Sequence, residues 1–123
     1  MTTQAWSSTI DGIAPAIAIE HAIALLETAP ETAEQQAKEV LRVLPDDARA
    51  VYIIGAARRR LGDPWEARRL LELVTSRRPD VGRAGYELGL TLVAIGEARV
   101  ALDTLRAAAR RDPCANPINL DHS

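Results

Sequence analysis

The chain has 123 residues, 47% of them hydrophobic and only 3% aromatic, with a net charge of −2, one Cys and no Phe. That is one domain's length, whose core has to come from Ala, Leu, Ile and Val, and the single Cys114 excludes an internal disulfide. The longest apolar stretch, residues 13–26, is broken by Glu20 and His21, falls short of the roughly 20 residues a membrane span needs and has no basic segment before it, so a cytoplasmic protein without a membrane anchor is expected. Fourteen of the 15 basic residues are Arg, which together with abundant Ala points to a GC-rich bacterial genome, an argument from codon usage rather than physics. Charge is unevenly spread: residues 1–47 hold 8 acids against 2 bases, whereas residues 48–113 hold 8 acids against 13 bases. A polarised chain of this kind attracts an oppositely charged partner or its own other end.

In chain order, residues 1–13 are expected to form a flexible segment unless Trp6 docks on the first hairpin. Residues 14–47 carry a first helix with an apolar stripe of Ile19, Ala22, Ile23 and Leu26, and Ile17, Ala18 and Leu25 extend the apolar cover around much of its surface. A helix apolar on most sides is normally covered on most sides. His21 is expected to pack within this hairpin, whose turn falls at Thr28 or Ala29 ahead of Pro30.

Residues 48–81 are the clearest unit. Helix-compatible residues run from Ala48 to Leu61, with Val51, Ile54, Gly55 and Leu61 on one stripe, and Gly62 ends the helix in the left-handed conformation. Asp63 then caps a second helix, Pro64 fits its first turn, and Glu66 completes a capping-box pattern. Ala67, Leu70, Leu71 and Val74 form its apolar face, and Pro79 stops it. Gly55 inside a helix needs a reason, and close approach to Ala67 of the paired helix is the expected one. Residues 82–113 repeat the pattern with Leu88, Gly89, Leu92 and Ile95, then Gly96, then Ala101, Leu102, Leu105 and Ala108. The tail, residues 114–123, shows no helical pattern and offers no closing helix, so either a fragment of a longer array or cover of residues 97–111 by another chain is expected.

The three units share one period. Pro45, Pro79 and Pro113 stand 34 residues apart, in step with Ala33, Ala67 and Ala101, with Gly55 and Gly89, and with Gly62 and Gly96. Fixed periods of this length mark helical arrays in which each unit buries its apolar face on the next. Ile54-Gly55 and Leu88-Gly89, the turn glycines Gly62 and Gly96, and the packing alanines Ala67 and Ala101 together resemble the tetratricopeptide repeat. The resemblance covers residues 48–113 well and 14–47 less well. His21 stands where Gly55 would be expected, and Arg58 and Leu92 replace the family's usual aromatic residue. It implies an all-α fold: a solenoid of three antiparallel helical hairpins in a right-handed superhelix, with repeats at 14–47, 48–81 and 82–113.

In that family the first helix of each hairpin lines the concave side, where peptides or helices bind. The resemblance therefore implies partner contacts at Arg49, Tyr52, Ile53, Arg59 and Arg60 and at Arg83, Tyr86, Glu87 and Leu90, with Ala56 and Val93 beside them. Arg offers a fork for carboxylates and Tyr a rigid amphipathic face, so an acidic or C-terminal peptide segment is the expected ligand. The Lys and Asn cluster of the family's carboxylate-clamp subclass is absent; Ile19, Ile53, Arg83 and Glu87 stand at the comparable places.

The paired arginines at 58–60, 68–69, 77–78 and 110–111 look basic, but successive helical residues lie about 100° apart, so each run fans around its helix, and a nucleic-acid partner is not expected. His21 and His122 have no catalytic neighbours at helical spacing and no ligand cluster suits a metal, so neither an enzyme nor a cofactor is expected. These observations imply a protein-interaction scaffold. Two alternatives stand beside it: self-association through the uncapped end or the apolar first helix, and the non-catalytic front part of a larger bacterial enzyme such as a sulfotransferase.

Overall fold

The computed structural model describes residues 14–78 and 82–111, so the expectations for residues 1–13, Pro79, Pro113 and the tail from Cys114 to His122 lie outside it. Six helices occupy the described residues: α1 Ala14–Leu25, α2 Pro30–Val43, α3 Ala48–Arg60, α4 Pro64–Arg77, α5 Gly82–Ile95 and α6 Ala98–Arg111. Local chemistry sets their limits. Proline disfavours the helical conformation in the residue before it, and Ala29, Leu44, Asp63 and Arg78, each standing before a proline, have all left the helical region, with ψ between 68° and 80°. Pro30 and Pro64 open α2 and α4, where a missing N–H costs nothing. Asp47 caps α3 by accepting from the backbone N–H of Arg49 at 2.9 Å and Ala50 at 3.3 Å, and Asp63 caps α4 through Glu66 N–H at 3.3 Å.

The turns inside the second and third hairpins are glycine turns of one kind. Gly62 has φ +88° and Gly96 φ +100°, a conformation closed to most side chains. Asp63 N–H reaches back to the Arg58 carbonyl at 2.9 Å and Gly62 N–H to that of Arg59, while Glu97 and Gly96 make the matching bonds to Leu92 and Val93. Both are Schellman endings, which satisfy carbonyls that the helix leaves open. The first hairpin turns without glycine: α1 runs out at Leu25, and Ala29 N–H returns to the Leu25 carbonyl at 2.7 Å.

Helices pair as α1 with α2, α3 with α4 and α5 with α6, and each hairpin leans on the next through α2 with α3 and α4 with α5. The first helices also touch one another, α1 to α3 and α3 to α5, whereas α2, α4 and α6 make no comparable contact. The stack therefore curves with α1, α3 and α5 on its inner side. It is an all-α solenoid of antiparallel hairpins. Its core alternates fully buried alanines (Ala33, Ala37, Ala50, Ala56, Ala57, Ala67, Ala84) with Ile19, Ile53, Leu71, Leu92, Val40 and Val74, and the small residues let the helix axes close up.

Two packing expectations need correction. A methyl group placed on Gly55 would stand 2.8 Å from Leu71 Cγ and 3.4 Å from Leu70 Cβ, so the close approach is to these leucines and not to Ala67. Likewise Gly89 abuts Leu105 instead of Ala101. Ala67 and Leu71 share one face of α4 a turn apart, and the glycine lies opposite the later turn, where a leucine side chain fills the space it vacates. His21 is exposed, because the face of α1 that carries it turns away from both α2 and α3.

Candidate partner-binding surface

The nine residues expected to meet a partner divide into three sets. Arg49 and Arg83 are exposed and Tyr86 and Leu90 half-buried, as a binding surface requires. Arg49 leans on its own cap, with Nη2 donating to Asp47 Oδ2 at 3.1 Å, which leaves further guanidinium donors facing solvent. Tyr52 and Ile53 lie inside the fold: Tyr52 keeps 4% of its surface and Ile53 none. Ile53 is thus a core residue and not a contact residue, because α3 has helices packed against it from both neighbouring hairpins. Burial raises the Tyr52 hydroxyl above its ordinary pKa, the Glu87 carboxylate adds to the rise, and the Arg83 guanidinium opposes it.

Arg59, Arg60 and Glu87 form the third set, and they are already partnered with one another. Glu87, 4% exposed, receives Arg59 Nε at 2.9 Å on one carboxylate oxygen and Arg60 Nη2 at 2.9 Å on the other. Arg60 also donates to Glu27 at 2.6 Å and to the Ala56 carbonyl at 2.9 Å. Burial works against the Arg60 charge, but the bonds to Glu87 and Glu27 outweigh it and hold the guanidinium firmly protonated. The third member of the run, Arg58, reaches the other way and grips Glu34 of α2 with two bonds of 2.7 Å. These hydrogen bonds, led by the contact itself, keep the Arg58 pKa above its ordinary value.

One consecutive run of arginines therefore ties three hairpins together. The fanning that argues against a nucleic-acid stripe is what lets Arg58 face α2 while Arg59 and Arg60 face α5. Sequence reasoning missed the clamp because its partners stand 24 to 33 positions away. The available signal was three acids, Glu27, Glu34 and Glu87, falling somewhat less than one period from the run. Among the described residues no group of three His, Cys, Asp or Glu is placed to hold a metal ion. No helix there is long and apolar enough to cross a membrane.

Hairpins of one 34-residue length, glycine-ended first helices, small residues at the helix contacts and prolines at the boundaries define the architecture of a tetratricopeptide-repeat array. Solved structures share it. The repeat-bearing chain of an O-GlcNAc transferase from Thermobaculum terrenum superposes with a TM-score of 0.76 at 24% identity, over 85% of this chain and 20% of its own. A MamA variant matches with a TM-score of 0.65 at 18% identity, over 89% of this chain and 82% of its own. The MamA RS-1 double mutant matches with 0.67 at 28% identity, over 83% and 58% of the two chains. This chain thus spans about a fifth of the transferase and most of the first MamA structure. No protein-family model matches the sequence, and no curated protein sequence matches it.

Proposed function

We propose that this chain is a non-catalytic, cytoplasmic scaffold of three repeats, 14–47, 48–81 and 82–113, that receives an acidic peptide segment along the inner side of its curve. The observation that carries this reading is how the charges are used. Arg58, Arg59 and Arg60 are spent on Glu34, Glu87 and Glu27 within the fold, whereas Arg49 and Arg83, one period apart on the inner helices, stay exposed, steadied by Asp47 and by the Tyr52 hydroxyl. Tyr86 and Leu90 lie along the same helix as Arg83 and supply apolar surface next to the charge. Arginine forks beside half-buried aromatic surface are a common way to bind carboxylate-bearing chains. The solved likenesses lend support at the level of fold.

The test reverses the two charges together. Immobilised wild-type chain and the Arg49→Glu, Arg83→Glu double variant are compared for the proteins each retains from a cell extract, identified by mass spectrometry. The proposal expects specific acidic-segment proteins to be lost from the variant. Identical retention would remove the groove from consideration.

A further inference from the structure

The internal junctions show what the two ends of the array are built to meet. At the first junction Glu34 of α2 faces Arg58 of α3 through bonds of 2.7 Å. Two periods on from Glu34, at the outer face of the last hairpin, stands Leu102; one period back from Arg58, at the outer face of the first, stands Ala24. Leu102 is 47% exposed and Ala24 is exposed as well. The place that carries a charge pair at the first junction, and Arg68 with Leu92 at the second, thus carries an apolar pair at the ends.

A second set of places agrees. Arg59 and Arg60 bind Glu87 across the second junction, and one period on they become Val93, 54% exposed, and Ala94, also exposed. A further copy of α5 would bring a carboxylate against these two aliphatic residues with no cation to receive it. The first helix brings none: its counterpart of Glu87 is Ile19, already inside the fold. Instead α1 presents Ile17, 62% exposed, on one stripe with Glu20, His21 and Ala24. The overall charge is complementary too. Residues 14–43 hold five acids against two bases, while α6 holds four Arg against one Asp.

We propose that the α5–α6 end of one chain docks on the α1 face of a second copy, continuing the solenoid head to tail. Leu102 and Val93 meet Ile17 and Ala24, and the acidic first hairpin is drawn to the basic last one. The contact is heterologous, with different surfaces on the two sides, so it extends into longer assemblies unless an end is blocked.

Sedimentation velocity over a concentration series tests it with three samples: the wild type, Ile17→Glu and Leu102→Glu. Both substitutions sit on exposed side chains, and circular dichroism confirms that each variant keeps its helices. The wild type is expected to grow beyond the monomer with concentration, less so in high salt. Each variant alone should associate at least about tenfold more weakly, the scale of one buried aliphatic contact. Mixed in equal amounts, the variants should recover dimers and nothing longer, since one keeps an intact head and the other an intact tail. A wild type that stays monomeric throughout overturns the proposal, as it would if these faces served a foreign protein. Undiminished pairing of either variant with itself also overturns it, because that result places the contact away from the substituted face.

Discussion

Helices α3 and α5 carry related residues at matching places and live in different surroundings. Tyr52 keeps 4% of its surface under α5, whereas Tyr86, the same residue one period later, is only half-buried. Ala56 is fully buried and Leu90 half-buried; Arg59 and Arg60 are clamped on Glu87, and Val93 and Ala94 look into solvent. In a linear array a residue's energetic weight is set as much by the neighbouring unit as by its own identity. Burial belongs to the junction.

The sharpest way to break that comparison is to truncate both tyrosines. Tyr52→Ala should cost about 3 kcal/mol, the scale for emptying a large buried site, and Tyr86→Ala less than about 1.5 kcal/mol because its site is already partly wet. Chemical denaturation at equal protein concentration measures both, and equal losses would dissolve the distinction between inner and end units. Next in size is Glu87→Gln. Removing one partner of a buried ion pair can cost roughly 3–5 kcal/mol, but Arg60 keeps Glu27, so about 2 kcal/mol is expected. Stability unchanged in this variant would mean the clamp contributes geometry alone.

Overpacking probes the hairpins themselves. Gly89→Leu drives a side chain into Leu105 and should cost about 1–3 kcal/mol, whereas Gly82→Ala, at the first position of α5, should be mild. Gly62→Ala tests the turn rather than the packing: nothing lies within 4 Å of the added methyl, so a loss of about 1 kcal/mol would come from the positive φ alone. The smallest effect is a pH dependence. The Arg60 bond and charge hold the Glu27 pKa below its ordinary 4.5. At Asp47, burial pulls upward but the contacts with Arg49 and Ala50 prevail and hold it below 3.8. Both groups have folded pKa values under the unfolded ones, so the stability they add is complete above those unfolded values and is lost as pH falls through the lower folded ones. Thermal midpoints should be flat near neutrality and decline below about pH 4.5, with Glu27→Gln flattening the upper part of that decline.

Much of the architecture is legible in the chain because each boundary rests on a residue with a narrow conformational range. Gly62, Gly96, Pro30, Pro64 and Asp63 act within a few positions of where they stand, so reading them needs no tertiary information. The surface is harder. The resemblance puts Ile53 and Tyr52 on the inner helix, but whether they face solvent depends on how closely α5 approaches α3, which the resemblance leaves open. The slot of His21 in the repeat faces the second helix of its own hairpin, as Gly55 and Gly89 do, but α1 turns that face away from α2, a change of register that the period does not show. The clamp escapes notice because a run of like charges reads as a solvated patch until its partners on other helices are known.

The fan of Arg58, Arg59 and Arg60 has a bearing on how such a chain can change length. Deleting a single residue between Asp47 and Arg58 would turn all three guanidinium groups through about 100° and exchange their partners at once, separating hairpins on both sides. Helix α3 should accordingly admit growth or loss only by whole repeats.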